Sequence, residues 1–173
     1  MNTVRNITHK RLMGDIKLIK QNPIPGMHLE FDPENLLVWY YIIEGSEGTP
    51  FHGGFYFGRI ELPENYPWSP PTVVMKTPSG RFKADKPICF SYTNFHPETW
   101  NPALNPQKVA LGLVSYMNDL KEEGWTCMIT SESGMKRLAL SSLEFNLNNP
   151  IVQSMFPDVV TVMKEKLESL IAD

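Results

Sequence analysis

Residues 61–71 decide the fold, and they read Glu61-Leu62-Pro63-Glu64-Asn65-Tyr66-Pro67-Trp68-Ser69-Pro70-Pro71. Four of these eleven residues are proline, which fixes φ and removes a backbone N–H donor. The stretch is therefore neither a helix nor the interior of a sheet, and we expect a rigid loop. It separates two strand-like runs, Phe51–Leu62 and Thr72–Met75.

Two more strand-like runs precede this pair. Leu36–Ile43 is rich in aromatic and β-branched residues, and a weaker run covers Met27–Phe31. A Gly53-Gly54 pair lies inside the run that follows, where it marks a bulge or close packing. Connections this short favour an antiparallel meander, since parallel neighbours need long crossovers.

Helical periodicity flanks the predicted sheet. In residues 7–21, apolar side chains recur at i, i+4 and i+7 as Leu12, Ile16 and Ile19. Three further helical patterns follow the sheet, at Pro106–Leu120, Gly134–Asn146 and Pro157–Ile171. We predict an α+β fold with an N-terminal helix, a four-stranded antiparallel meander, a central helix and two C-terminal helices. The predicted domain is single, covers residues 1–173 and has its core at about residues 8–171.

Composition excludes several classes of protein. The 173 residues carry a net charge of −3, which gives no reason to expect nucleic acid as a partner. Two cysteines are too few for a disulfide framework, so we expect a reduced, intracellular protein. No run of 18 apolar residues is present to span a membrane, and the N-terminus lacks a secretory pattern. The histidines are scattered without ligand spacing, so no metal site is predicted: His9, His28, His52 and His96.

Cys89 is the strongest candidate for a reactive residue. It lies in residues 76–104, a long stretch without period, and such loops are often functional. Three cations precede it, Arg81, Lys83 and Lys86, and they would favour the thiolate if they point towards the sulfur. The other cysteine, Cys127, fits the default of a small buried apolar residue.

Four segments together resemble a ubiquitin-conjugating enzyme, over about residues 8–171. They are the 61–71 loop, Thr77-Pro78-Ser79-Gly80-Arg81-Phe82, Ile88-Cys89-Phe90-Ser91, and His96-Pro97-Glu98-Thr99-Trp100-Asn101-Pro102-Ala103. The second and fourth segments resemble one branch of that family in particular. That branch comprises the tail-anchored enzymes of the endoplasmic reticulum, which serve protein quality control.

The resemblance implies a relay that carries ubiquitin on Cys89. The C-terminal glycine of ubiquitin would move from the activating enzyme to the Cys89 thiol as a thioester. It would then move, with a ligase, to an acceptor protein at a lysine or a hydroxyl group. ATP is consumed earlier by the activating enzyme, so no metal or organic cofactor is expected. The resemblance also implies a location on the cytosolic face of the endoplasmic reticulum, with any membrane contact made through an anchor after Asp173.

The chain departs from the family at one catalytic position. Most members carry His-Pro-Asn, with the asparagine linked to oxyanion stabilisation, whereas this chain carries Thr77-Pro78-Ser79. Ser79 either donates a hydrogen bond to the oxyanion or is simply a turn residue before Gly80. His96 either assists deprotonation of the acceptor or is a structural histidine bonded to loop backbone. Glu132 is a further, weaker candidate, as a gate before the third helix.

The resemblance also places a ligase-binding surface. It comprises Lys10 and Arg11 of the first helix, Trp68 of the 61–71 loop, and Pro102 with Ala103. Tryptophan on a proline-braced loop is typical of an interface hot spot. The alternative for Trp68 is burial under the sheet, and Trp100 is expected to pack its own loop.

Two other functions stay open at this point. A catalytically inactive relative with the same fold would bind ubiquitin without forming a thioester, and the missing asparagine favours this mildly. A cysteine hydrolase would pair Cys89 with His96, but the two are only seven positions apart in the chain. No third catalytic residue is evident from the sequence.

Overall fold

The computed structural model describes residues 2–128 and 130–173. Its helices and strands are α1 (Asn2–Gln21), β1 (Met27–Asp32), β2 (Asn35–Glu44), β3 (Phe55–Glu61), β4 (Thr72–Met75), α2 (Pro106–Asn118), α3 (Glu132–Leu147), α4 (Pro150–Met155) and α5 (Pro157–Ala172), with a 3-10 turn at Pro97–Thr99. Among the helices in these two ranges, none is long and apolar enough to cross a membrane.

The four strands form one antiparallel sheet in the order β1-β2-β3-β4, which confirms the predicted meander. Tyr41 on β2 lies opposite Gly58 on β3, and its hydroxyl donates to the carbonyl of Val74 on β4 at 2.7 Å. A Cβ at position 58 would lie 2.1 Å from that carbonyl oxygen and 2.2 Å from the tyrosine hydroxyl. Glycine at position 58 therefore lets the tyrosine side chain cross the sheet.

Side chains of β2 are buried against helices on both faces of the sheet. Successive side chains in a strand point to opposite faces, so alternate residues meet different helices. Trp39, Tyr41 and Ile43 join a buried cluster with residues of α1 and α2. Ile42 joins a second buried cluster with α3, α4 and α5, which Leu143, Val152 and Met163 help to form. The stripe predicted on α1 is confirmed, since Leu12 and Ile16 are buried in the first cluster.

The third strand begins later than its sequence pattern indicates. Residues 51–54 form a turn, in which the N–H of Gly54 donates to the carbonyl of Phe51 at 2.9 Å. Gly53 has φ of +85°, which a residue with a Cβ rarely adopts. The expectation of a strand from Phe51 is therefore wrong, because this conformation interrupts the extended backbone.

Helix α4 is an element that the sequence reading misses. Six residues are too few to show a helical period, and Pro157 follows at once as the start of α5. Its start nevertheless carries a signal, because the side chain of Asn149 accepts from the N–H of Ile151 at 2.9 Å and Pro150 follows it directly. Asparagine at the cap followed by proline is a favoured helix start.

Candidate functional site

Cys89 is held in place by its neighbours in the chain. The N–H of Ile88 donates to the carbonyl of Val73 on β4 at 2.8 Å, so the segment runs beside the sheet edge. The side chains of Ile88 and Phe90 are buried, while Cys89 between them is half-buried. The N–H of Cys89 donates to Oγ1 of Thr126 at 3.0 Å. Two buried anchors and one backbone bond therefore fix the thiol at the surface.

The thiol opens onto a pocket of about 640 Å³. Its walls include the aromatic residues Phe90, Tyr92, Tyr116 and Trp125. Asp119, Glu122 and Glu123 add carboxylates at exposed positions of the same lining. The pocket thus combines an apolar wall with a negatively charged rim.

His96 and Glu98 form a relay with the thiol. Sγ of Cys89 lies 3.2 Å from Nε2 of His96, and Nδ1 of His96 lies 3.0 Å from Oε1 of Glu98. The hydrogen bond from His96 lowers the pKa of the Glu98 carboxyl, which therefore stays ionised. An ionised carboxylate only accepts hydrogen bonds, so Nδ1 carries the proton and Nε2 of the neutral ring is free to accept one.

Glu98 is a residue that the sequence analysis did not select. It lies two positions after His96, on the 3-10 turn Pro97–Thr99. The hydroxyl of Thr99 donates to the carbonyl of Ser91 at 2.6 Å, which ties this turn to the segment after Cys89. A histidine followed two residues later by a carboxylate on a turn is a weak signal, and only the bend of the loop brings the pair to the thiol.

Burial raises the pKa of the Cys89 thiol above its ordinary value, and a hydrogen bond from the Trp125 side chain acts in the opposite direction. The protonated thiol therefore predominates at neutral pH. None of the three cations of the preceding loop lowers the pKa of this thiol: Lys83 and Lys86 are exposed, and the Arg81 guanidinium is bonded to other groups. The expected stabilisation of the thiolate by this loop is wrong for that reason.

Arg81 closes the C-terminal end of α2. Its guanidinium donates to the carbonyls of Tyr116 at 2.9 Å, Asp119 at 2.9 Å and Glu122 at 2.6 Å. The carbonyls of Tyr116 and Asp119 lie at the C-terminal end of α2, the negative end of its dipole, which suits a buried cation. Nη1 also donates to Sγ of Cys127 at 3.1 Å. Cys127 packs against the first buried cluster, as expected of an apolar thiol, but it is only half-buried and also has polar partners.

Ser79 lies in a buried turn. Its hydroxyl oxygen accepts from the N–H groups of Arg81 at 3.1 Å and Phe82 at 3.2 Å. Gly80 follows with φ of +76°. The hydroxyl oxygen therefore accepts both hydrogen bonds from backbone N–H groups of its own turn. This agrees with the alternative that Ser79 is a turn residue.

Two further candidates lie away from the thiol. Glu132 is the first residue of α3 and pairs with Lys136 at 3.1 Å on the exposed face of that helix, outside the Cys89 pocket. The indole N–H of Trp100 donates to the carbonyl of Pro67 at 2.8 Å. Trp100 therefore fastens the 100–104 loop to the 61–71 loop.

The residues predicted to bind a ligase are brought to one region by a set of partly buried hydrogen bonds. Nη2 of Arg11 donates to the carbonyl of Leu104 at 2.9 Å, and its Nη1 donates to that of Pro102. Nε of Arg11 also donates to Asp15 at 2.9 Å, and the Tyr66 hydroxyl donates to the same carboxylate. Arg11 therefore joins α1 to the 100–104 loop, and Asp15 joins α1 to Tyr66 of the 61–71 loop.

The exposed part of this region combines an aromatic side chain with small apolar residues and a cation at its edge. Trp68 is 61% exposed, so the alternative of burial under the sheet does not hold. Lys10 and Ala103 are exposed, and Pro102 is half-buried.

The described residues include no cluster of three or more histidine, cysteine, aspartate or glutamate side chains that could hold a metal ion.

Comparison with known proteins agrees with this geometry. A family model described as ubiquitin-conjugating enzyme matches residues 11–129. Mouse ubiquitin-conjugating enzyme E2 J2 is 42% identical over 91% of this chain and 60% of its own length. The E2 J2-like enzyme of Dictyostelium discoideum is 38% identical over 85% of this chain and 86% of its own length.

A solved structure shows the same fold. Human ubiquitin-conjugating enzyme E2 G1 matches with a TM-score of 0.56 at 23% identity, over 62% of this chain and 92% of its own. The chain thus spans about 60% of the length of mammalian relatives that it matches, and it contains nearly all of the E2 G1 fold. The resemblance and the fold inferred from the sequence are confirmed, and the chain belongs to the ubiquitin-conjugating enzyme family.

Proposed function

We propose that this protein carries ubiquitin as a thioester on Cys89 and transfers it to acceptor proteins. The observation that carries the proposal is the fixed, half-buried thiol at the mouth of a pocket, 3.2 Å from a histidine that can accept its proton. Thiolate is both a strong nucleophile and a good leaving group, so one sulfur serves both halves of a transfer.

In the charging step, Nε2 of His96 takes the proton of the Cys89 thiol. The sulfur attacks the carbonyl carbon of the ubiquitin thioester on the activating enzyme, and the activating enzyme's sulfur leaves as a thiolate. One carbon–sulfur bond forms and one breaks, so the exchange is close to balanced in energy. ATP spent by the activating enzyme supplies the energy, and this protein needs no cofactor or metal of its own.

In the transfer step, the acceptor is a lysine or a hydroxyl group of a substrate protein. Its nitrogen or oxygen attacks the thioester carbon, and Cys89 leaves as a thiolate. His96 accepts the proton that the acceptor loses, while Glu98 stabilises the imidazolium through Nδ1. The carboxylates along the pocket lining would hold a lysine ammonium near the thioester before it reacts.

The proposed ligase surface is the exposed region around Trp68, Pro102 and Ala103, with Lys10 at its edge. Its support is the exposure of Trp68 on a loop that is bonded to Asp15 of α1 through Tyr66 and to Trp100 through the carbonyl of Pro67. An aromatic side chain held rigidly at the surface binds with a small loss of conformational entropy.

We further propose that the protein works on the cytosolic face of the endoplasmic reticulum, in protein quality control. The support is the resemblance of the Thr77–Phe82 and His96–Pro102 segments to the tail-anchored branch of the family. Membrane fractionation of cells that express the full-length protein tests this location. Recovery in the cytosolic fraction alone would contradict it.

The arrangement of Cys89, His96 and Glu98 also supports a second candidate, a cysteine hydrolase. The structure supplies the third residue that the sequence did not reveal, at 3.0 Å from the imidazole. A hydrolase would turn over a ubiquitin-derived ester in the absence of ATP and activating enzyme. A transferase would require both and would release ubiquitin mainly to an added amine.

The charging assay tests the proposed function. The chain is incubated with activating enzyme, ATP and ubiquitin, and in parallel with other ubiquitin-like modifiers. We expect a ubiquitin adduct that disappears with thiol reductant, is absent without ATP, is lost in Cys89→Ala and is kept in Cys127→Ala. An absence of any modifier adduct on the wild-type chain would overturn the proposal.

A further inference from the structure

The backbone of Cys89 lies where the chain leaves the edge of the sheet. The residue before it, Ile88, still donates its N–H to the carbonyl of Val73 on β4 at 2.8 Å. The N–H of Cys89 donates instead to a side chain, Oγ1 of Thr126, at 3.0 Å. Cys89 is therefore held by a residue that lies 37 positions further along the chain.

Thr126 is fixed firmly enough to serve as such an anchor. It is buried, and its β-branched side chain has restricted rotation. The residues after it pair with the loop that precedes the cysteine. Cys127 forms an isolated antiparallel bridge with Phe82, and the N–H of Met128 donates to the carbonyl of Arg81 at 2.9 Å. The hydroxyl that meets Cys89 therefore stands on a segment with its own backbone support.

The polar end of Thr126 is accounted for by Cys89 alone. Within the part of the chain that the structure describes, the bond from the Cys89 N–H is the one hydrogen bond that this hydroxyl makes. A methyl group would fill the same space, so packing does not explain why the buried side chain carries an oxygen. The hydroxyl thus points to a role at the cysteine.

That bond bears on the direction of the sulfur. The backbone of Cys89 sets the direction of its Cα–Cβ bond, and this bond carries the sulfur to within 3.2 Å of Nε2 of His96. The turn after His96 has a different anchor, the bond from Thr99 to the carbonyl of Ser91. Thiol and imidazole are therefore held separately, and a misplacement of about 1 Å between reacting groups can cost about 100-fold in rate.

We propose that Thr126 is a positioning residue for the transfer, whose hydroxyl holds the Cys89 N–H and so keeps the sulfur within reach of His96. Thr126 exchanges no proton with the substrate, and it acts through Cys89. This inference rests on the proposed function, and it adds to that function the group that aligns the thiol with its base.

A matched set of variants tests the assignment. Thr126→Val replaces the hydroxyl with a methyl group of similar size, and Thr126→Ser keeps the hydroxyl. Thr126→Ala is measured beside them, since it removes the hydroxyl without a new methyl group in the site. Ser142→Ala is the control, because Oγ of Ser142 accepts the N–H of Phe55 at 2.9 Å in a buried site on α3, outside the Cys89 pocket.

The first measurement is the discharge of a preformed Cys89 thioester to free lysine in a single turnover. We expect discharge to fall about tenfold in Thr126→Val and Thr126→Ala, because the sulfur is no longer held beside its base. Thr126→Ser should stay within about twofold of the wild type, since it keeps the acceptor oxygen. Ser142→Ala should discharge as the wild type does, although it also lowers the urea midpoint of unfolding.

A double-mutant cycle with His96→Gln separates positioning from general support of the fold. If Thr126 acts by aligning the sulfur with His96, its loss matters only while the base is present. Thr126→Val should then slow discharge by less than about twofold in the His96→Gln background. A merely structural residue would slow both backgrounds by the same factor.

Alkylation of the uncharged thiol gives the same cycle without ubiquitin. Iodoacetamide is added at neutral pH, and modification is followed by mass spectrometry of the peptide that contains Cys89. Equal losses of rate in both backgrounds, or a Thr126→Ser variant as slow as Thr126→Val, would overturn the proposal. A wild-type chain that never charges would instead overturn the proposed function, and the alkylation cycle would still decide the role of Thr126.

Discussion

The sulfur of Cys89 lies 3.2 Å from Nε2 of His96, although both residues belong to a stretch without regular periodicity. The contact depends on the 3-10 turn Pro97–Thr99, which directs Nδ1 of the same ring to Glu98 at 3.0 Å. The imidazole therefore has one nitrogen held by a carboxylate and the other free for the thiol. This geometry suits a proton acceptor that works next to a thioester.

Replacement of His96 tests that role. His96→Gln keeps a polar side chain of similar length but cannot take up a proton at neutral pH. We expect discharge of the Cys89 thioester to lysine to fall about 100-fold at neutral pH and to recover as pH rises, because hydroxide replaces the missing base. Single-turnover discharge across a pH series measures this.

Glu98→Gln is the graded control for the same prediction, because its amide oxygen still accepts from Nδ1 without the negative charge. Its discharge rate should lie between those of the wild type and His96→Gln. If His96→Gln discharges at the wild-type rate at neutral pH, His96 is a structural residue of the loop.

The sequence pattern was sufficient to predict the elements that pack along their whole length. The stripe of Leu12 and Ile16 is buried as expected, and β4 has the predicted bounds Thr72–Met75. These features depend on neighbours in the chain, and periodicity records such neighbours directly. Helix α4 was not predicted, because its six residues do not complete two helical turns and show no period.

The direction of single polar side chains could not be predicted in the same way. Arg81 precedes Cys89 by eight residues, yet its guanidinium reaches carbonyls 35 to 41 positions away in the chain. That direction is set where α2 ends, which nothing near Arg81 in the sequence specifies. The position of Glu98 beside His96 likewise depends on the bend of a loop rather than on a repeated pattern.

Arg81 is predicted to be a major source of stability. Arg81→Met removes a buried cation from several carbonyl oxygens, which then lack partners, so the free energy of unfolding should fall by about 3 kcal/mol. Arg81→Lys should recover less than half of this loss, since an ammonium cannot reach carbonyls in several directions. Urea unfolding followed by fluorescence measures both.

Lys83→Met, at an exposed position two residues along, is the control for charge removal and should change the unfolding free energy little. A value for Arg81→Met within about 0.5 kcal/mol of the wild type would show that the guanidinium bonds do not support the fold.

Ser79→Ala distinguishes a turn residue from an oxyanion donor. The hydroxyl accepts from two N–H groups in a fully buried turn, so its removal should lower the free energy of unfolding by about 1–2 kcal/mol. Discharge from the folded, charged protein should change by less than about threefold. A fall of about 100-fold in discharge with little loss of stability would instead assign the oxyanion to Ser79.

Trp68→Ala tests the proposed ligase surface. Its side chain is 61% exposed, so we expect unfolding to change little while the affinity for a cognate ligase falls by about 2 kcal/mol, roughly 30-fold. Lys10→Ala, at the exposed edge of the same surface, should cost less because rim charges remain solvated. Binding titration with the purified ligase measures both, and equal losses in the two variants would contradict a hot spot at Trp68.

The chemical stability of the ubiquitin adduct on Cys89→Ser tests the central claim most directly. Wild-type chain and variant are each incubated with activating enzyme, ATP and ubiquitin, then treated with thiol reductant or with alkali. The account predicts a wild-type adduct that reductant removes, and a Cys89→Ser adduct that resists reductant and yields to alkali, because an oxygen ester replaces the thioester. A reductant-sensitive adduct that persists in Cys89→Ser would contradict the account, since another thiol would then carry the ubiquitin.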